Sequence, residues 1–230
     1  MDCCVVHPYQ SGRFGGSHKE ALRPGGSVLT RLAIHYAGFV AGEHILDLGC
    51  GEGAGTQLLL EHGCHAIGVD ASADSLASAA ARLPGVSLIT ASACSLPFAN
   101  ASVDGILAEC LLSLVEQRGA VLAQCHRVLR SGGRLAITDV FAREAADASQ
   151  PLPACLTGMA RQQEILDGLA HAGFRVERWE DHSPVLKTFM ARLIFESDTP
   201  DGLWAGDAGV MNAALRQCRP GYFLLIAIKD

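Results

Sequence analysis

Apolar residues in this chain fall into short runs separated by amphipathic stretches, in an order that repeats. His44-Ile45-Leu46-Asp47-Leu48 reads as a strand and leads into a helix ending near His62-Gly63. His65 to Asp70 is a second strand, with a helix from Ser72 or Asp74 to Leu83. Val86–Ala91, Val103–Ala108 and Arg134–Val140 follow as strands three to five, the last two separated by a long helix reaching about Leu129. Strands this apolar on both faces, alternating with helices, predict a parallel sheet covered on each side. Upstream, Ser27 is a plausible cap for a first helix through Leu29, Leu32, Ala33 and Tyr36, closed by Gly38. Downstream, Arg161–His171 is helical, Phe174–Trp179 is a sixth strand, and Pro220-Gly221 announces a last strand over Tyr222–Ile228. Between them, Val185–Phe195 and Ala208–Gln217 are helix candidates. Residues 141–160, rich in Ala and Pro, suggest an insertion over the edge of the sheet. The glycine- and proline-punctuated stretch before Gly26 suggests a mobile arm or lid.

The expected architecture is therefore α/β and Rossmann-like. It is one domain over 1–230: an N-terminal arm and helix (1–40), a core (41–140), then an insertion and C-terminal strands (141–230). A length of 230 residues leaves little room for a second core. The formal net charge of -6, with no Lys/Arg run, argues against nucleic acid and against an anionic membrane surface as partners. No secretory signal or bilayer-length apolar run is visible, and nine cysteines at irregular spacing suit reduced thiols. A cytoplasmic location is the expectation.

The candidate chemistry begins at Asp47-Leu48-Gly49-Cys50-Gly51-Glu52-Gly53, directly after the first strand and before a helix. Glycines there let the backbone turn sharply and approach a ligand, and an open parallel sheet binds ligands beyond the carboxyl ends of its strands. Asp70, ending the second strand, is placed to accept hydrogen bonds from two ribose hydroxyls. Glycine loop and terminal acid together point to an adenosine-containing ligand, with a nicotinamide or flavin dinucleotide as the rival to be weighed.

The run from Glu43 to Gly53 resembles the first motif of the class I S-adenosylmethionine-dependent methyltransferases almost unchanged. Cys94-Ser95-Leu96-Pro97-Phe98, Val103-Asp104 and Arg127 through Gly133 resemble that superfamily's later landmarks, so the likeness covers residues 43–140. It implies seven strands with the last antiparallel, and S-adenosylmethionine as cofactor. By the same resemblance, Asp47 and the backbone at Gly49 and Gly51 hold the methionine end, Asp70 the ribose, and Ser92-Ala93 the border of the adenine. The backbone at Glu109 faces the methionine amino group, its side chain being equally readable as a solvated loop carboxylate. Many members carry Asp where this chain has Ser92, which shifts the adenine contact toward backbone groups.

Within that superfamily, Ala108-Glu109-Cys110-Leu111, Thr138-Asp139-Val140-Phe141 and Cys155-Leu156-Thr157-Gly158 resemble arsenite methyltransferase segments. The resemblance implies Cys110 and Cys155 as catalytic thiols clamping a trivalent metalloid, which is soft and favours thiolates. Against it stands the ordinary role of cysteine as a small buried hydrophobe. The acceptor is thus a thiol-bound metalloid or a small metabolite methylated at carbon, oxygen or nitrogen, and a non-catalytic cofactor-binding protein is the alternative of a different class. His182, after the sixth strand, is a minor candidate base.

Overall fold

Local preference and burial agree through the sheet of the computed structural model, which describes residues 23–144, 158–196 and 216–230. The strands are β1 (His44–Leu48), β2 (His65–Asp70), β3 (Ser87–Thr90), β4 (Val103–Glu109), β5 (Leu129–Ala142), β6 (Phe174–Asp181) and β7 (Pro220–Lys229). They form one sheet in the order β3-β2-β1-β4-β5-β7-β6. The four pairings from β3 to β5 are parallel, and β7 runs antiparallel between β5 and β6. The helices are α1 (Gly26–Tyr36), α2 (Ala54–Glu61), α3 (Ala73–Arg82), α4 (Arg118–Val128), α5 (Gln162–His171) and α6 (Ser183–Glu196).

Alternation along each strand divides the core between the two faces of the sheet. Leu46, Leu48, Ile106, Ile137 and Phe223 pack on the side of α4 and α5. Ile45, Leu107, Ala136, Tyr222 and Leu224 pack on the side of α1 and α2. Burying each large aliphatic side chain contributes about 1.5–3 kcal/mol, so both layers are needed to hold the sheet. An aromatic group anchors the β6–β7 edge, where Trp179 stacks on Phe223 at 4.3 Å between ring centroids and Phe141 meets Trp179 edge-on.

The helix starts show where sequence cues hold and where they fail. Ser72 caps α3 by accepting from the Ser75 N–H at 3.2 Å. The expected cap at Ser27 is not used: α1 begins two residues earlier, at Gly26 after a cap at Gly25 with φ 77°, in a turn that glycine adopts without strain. Residues 1–22 of the N-terminal arm, residues 145–157 of the 141–160 insertion and most of the Ala208–Gln217 candidate helix lie outside the described residues.

Candidate cofactor and acceptor site

The reversal of strand order between β1 and β4 opens a crevice at the carboxyl edge of the sheet, and the glycine loop stands beside it. Gly49 and Gly51 adopt φ 77° and 52°, values that side chains disfavour. The N–H groups of Gly49 and Cys50 both donate to the Val69 carbonyl, at 2.8 and 3.1 Å, tying the loop to the end of β2. A Cβ at Gly49 would stand 3.1 Å from the Leu111 side chain, whereas one at Gly51 would meet nothing within 4 Å. The loop is closed at its base by the chain itself and open above Gly51.

Asp70 is fixed at this opening. Its Oδ2 accepts from the Gly51 N–H and its Oδ1 from the Ser72 N–H, each at 2.8 Å. The side chain stays partly exposed, so each oxygen keeps capacity for one further donor. Ser92-Ala93 follows β3 close by, because the Ala91 N–H donates to the Asp70 carbonyl at 3.0 Å. Ser92 is spent locally: its Oγ accepts from the Cys94 N–H and its carbonyl from the Ser95 N–H. Ala93 is buried. Arg127, which the pattern reading took only as part of a turn, clamps the next stretch by donating to the Leu96 and Phe98 carbonyls at 2.8 and 2.7 Å.

Asp47 lies deeper, 3% exposed. It accepts from Thr56 Oγ1 at 2.6 Å at the start of α2, and burial raises its pKa above the ordinary value against the pull of that hydrogen bond and of Arg23.

Glu109 departs from the solvated alternative. Its side chain is 7% exposed and forms an ion pair with Arg23 at 3.0 Å. It also accepts from Thr30 Oγ1 at 2.9 Å and Thr138 Oγ1 at 3.3 Å. Helix α1 covers it, a tertiary contact that no local pattern announces. Burial raises the Glu109 pKa, with Arg23 pulling it down.

Cys110 belongs to the same buried network. Its backbone is left-handed, at φ 50°. Its Sγ lies 3.0 Å from the hydroxyl of Tyr222, which in turn donates to Thr138 Oγ1 at 3.2 Å. Since Tyr222 has one proton and gives it to Thr138, the thiol is the donor to Tyr222. Burial pushes the Cys110 pKa well above the ordinary thiol range, so the sulfur is a protonated thiol here and not a thiolate. Cys155, its expected partner, lies outside the described residues. Cys94 is disulfide-bonded, against the expectation of reduced thiols. His182 pairs with Glu180 at 3.1 Å, on β6 at the far edge of the sheet.

A cavity of about 100 Å³ opens at the carboxyl ends of β4 and β5. Ser113, Arg118, Asp139, Gly158 and Glu164 are among its lining residues, and Cys110 is not. Asp139 is buried and accepts from the Ser113 N–H at 3.0 Å and the Val140 N–H at 2.7 Å, which pins the loop after β4. Among the described residues there is no group of three side chains suited to a metal ion, and no helix long and apolar enough to cross a membrane.

Comparison with known proteins decides what the glycine loop belongs to. Residues 46–137 match the methyltransferase domain family. The chain is 37% identical to the O-methyltransferase rstn1 of Aspergillus nomiae over 169 residues, covering 66% of this chain and 73% of that protein. The chain belongs to the S-adenosylmethionine-dependent methyltransferases. Its fold matches the crystal structure of the (4+2)-cyclase SpnF with a TM-score of 0.74 and 25% identity, over 98% of this chain and 93% of that one. An arsenite methyltransferase of Halobacterium salinarum is 29% identical over 152 residues, 60% of this chain but 39% of that protein. The chain spans 58% and 61% of the lengths of two other curated methyltransferases it matches.

S-adenosylmethionine is the cofactor of this family, and the residues present suit it. The open space over Gly51, the anchored Asp70 carboxylate and the acidic residues Asp47 and Glu109 fit a ligand with a ribose at one end and cationic groups at the other.

Proposed function

We propose that this methyltransferase transfers a methyl group to an oxygen of a small organic acceptor. The observation that carries the reading is Asp70, held by two backbone N–H groups beside an open glycine loop in a chain 37% identical to an O-methyltransferase. When bound, S-adenosylmethionine supplies a methyl on a sulfonium, and its S–C bonding pair returns to sulfur as the acceptor's lone pair forms the new bond. The protein's part is then to hold the acceptor in line with the methyl group and exclude water. A hydroxyl acceptor also loses a proton; a carboxylate acceptor needs no base. The cavity beside Ser113 and Asp139 is the acceptor-side space we favour, since it opens at the ends of β4 and β5.

The test is incubation with methyl-labelled S-adenosylmethionine against a panel of phenols, alcohols and carboxylic acids, with arsenite plus thiol as a separate arm, and products read by mass spectrometry. A labelled ether or ester supports the reading. Tight cofactor binding with no labelled product across the panel overturns it in favour of a non-catalytic binder.

A metalloid acceptor held by Cys110 and Cys155 is the second reading, favoured by the match to the arsenite methyltransferase and by the place of Cys110 directly after β4. It requires the Cys110 thiol to leave Tyr222 and lose its proton before it can ligate a soft atom. A methylated arsenical in the arsenite arm, lost in Cys110→Ser, would establish it.

A further inference from the structure

Three buried charges converge beside the glycine loop. In the β1–β4 register Leu48 pairs with Ala108, so Gly49, just past β1, stands beside Glu109, the last residue of β4. The guanidinium of Arg23, 12% exposed, lies 3.0 Å from the Glu109 carboxylate. Asp47, one strand over, is in electrostatic contact with both Arg23 and Glu109. The remaining partners of the two carboxylates are neutral: Thr56 for Asp47, and Thr30 and Thr138 for Glu109. Two carboxylates against one guanidinium leave this group with formal charge -1, and Asp70 adds to it. A buried excess of one sign is costly until a counter-charge arrives.

The reaction changes the charge of the ligand in this place. S-adenosylmethionine carries a sulfonium, an ammonium and a carboxylate, for a net charge of +1. Losing the methyl group turns the sulfonium into a neutral thioether, so S-adenosylhomocysteine is a net-neutral zwitterion. We propose that Asp47, Glu109 and Arg23 form a charge selector that holds the cationic cofactor in preference to its spent form, so that transfer of the methyl group itself weakens the grip on the product. The inference rests on the cofactor assignment above and deepens it: Glu109 acts through its side-chain charge, and Arg23 sets how much of that charge is left over. Burial raises Asp47 and Glu109 alike, as expected of carboxylates short of positive neighbours.

Calorimetric titration of the whole chain with S-adenosylmethionine, S-adenosylhomocysteine and sinefungin tests this. Sinefungin carries a protonated amine where the sulfonium stands, so it reports charge without reactivity. The wild type is expected to favour both cationic ligands over S-adenosylhomocysteine. Glu109→Gln is expected to shrink that preference by about tenfold and Arg23→Gln to widen it by a similar factor, because one removes a negative and the other a positive charge. Opposite signs are the signature, since a merely structural role weakens all three ligands by one common factor. A common factor in both variants, or an unmoved ratio, overturns the proposal. Circular dichroism checks folding, and if Glu109→Gln does not fold, Arg23→Gln carries the test through the direction of its ratio. A wild type that binds none of the three ligands overturns the cofactor assignment instead, so the two failures are told apart.

Discussion

Asp70 and Glu109 end β2 and β4, on either side of β1 at the same edge of the sheet, and their surroundings are opposite. Asp70 is gripped by backbone N–H groups from its own neighbourhood, Gly51 and Ser72, and its side chain faces the crevice. Glu109 is gripped by side chains from far along the chain, Arg23, Thr30 and Thr138, and is roofed by α1. A carboxylate held by local backbone is fixed by the loop's own geometry and stays available to a ligand. One held by remote side chains depends on the whole tertiary assembly, and its charge is felt through burial. The first is recognisable in a motif; the second is not.

The sharpest break in this comparison is expected at Asp70. Asp70→Ala removes the carboxylate expected to accept from two ribose hydroxyls, each such charged hydrogen bond contributing about 1.5–3 kcal/mol, so cofactor affinity should fall by at least about a hundredfold. Because Asp70 also holds Gly51 and Ser72, Asp70→Asn is the companion variant: it keeps one acceptor oxygen and should lose less. Titration calorimetry on both decides it, and undiminished affinity in Asp70→Ala would remove the ribose assignment.

At Glu109 the expected loss is in stability. Arg23→Ala strands a buried carboxylate and should cost about 2–4 kcal/mol near neutral pH. The sign with pH follows from burial: the folded pKa of Glu109 lies above its ordinary value of 4.5, so the native state binds this proton more tightly than the unfolded chain. Stability from that protonation is fully present below about pH 4.5 and is lost as pH rises through the folded pKa. The difference between Arg23→Ala and wild type should therefore shrink in acid and grow toward neutrality, as read from urea unfolding at several pH values. An equal penalty at pH 4 and pH 8 would mean that Glu109 is not the partner that matters.

The same contrast explains what was legible in the sequence. The glycine loop, Asp70 and the alternation of strands and helices along the chain follow from short-range signals: glycines where φ is positive, an acid closing a strand, apolar runs between helices. Strand ends were less exact. Strand β5 starts at Leu129, five residues before its apolar run, because Leu129 pairs with Val103 across a register shift. The network of Arg23, Thr30, Thr138 and Tyr222 was invisible, since its members are separated by up to 199 positions and only the packing of α1 and β7 on one face brings them together. Cys110 shows the limit: its motif position suggests an acceptor ligand, and its left-handed backbone and its contact with the hydroxyl of Tyr222 are visible only in the tertiary structure.

Inside the network, the Tyr222 hydroxyl relays from Cys110 to Thr138. Tyr222→Phe leaves the partly buried thiol and the fully buried Thr138 each short of a partner, at a cost of about 1–2 kcal/mol in thermal or urea unfolding. Cofactor affinity should stay within about threefold, because Glu109 keeps its contacts to Arg23 and Thr30. A larger loss of affinity than of stability would mean that the network shapes the cofactor site directly, and would erase the distinction between its outer part and Glu109.

The smallest effect is expected at Cys110 itself. The thiol is a weak donor to Tyr222, and serine is a stronger donor of smaller radius on the same backbone. The left-handed φ is unchanged by the swap, so no new strain enters. Cys110→Ser should thus change stability by less than about 1 kcal/mol and cofactor affinity by less than about twofold. Its transfer to an oxygen acceptor should match that of wild type, since Cys110 does not line the cavity at Ser113 and Asp139. Arsenite separates the readings, because a hydroxyl does not replace a thiolate toward a soft metalloid. If wild type methylates arsenite and Cys110→Ser does not, with cofactor affinity unchanged in both, then the thiol swings away from Tyr222 during turnover, and the buried side of this comparison is itself the acceptor site.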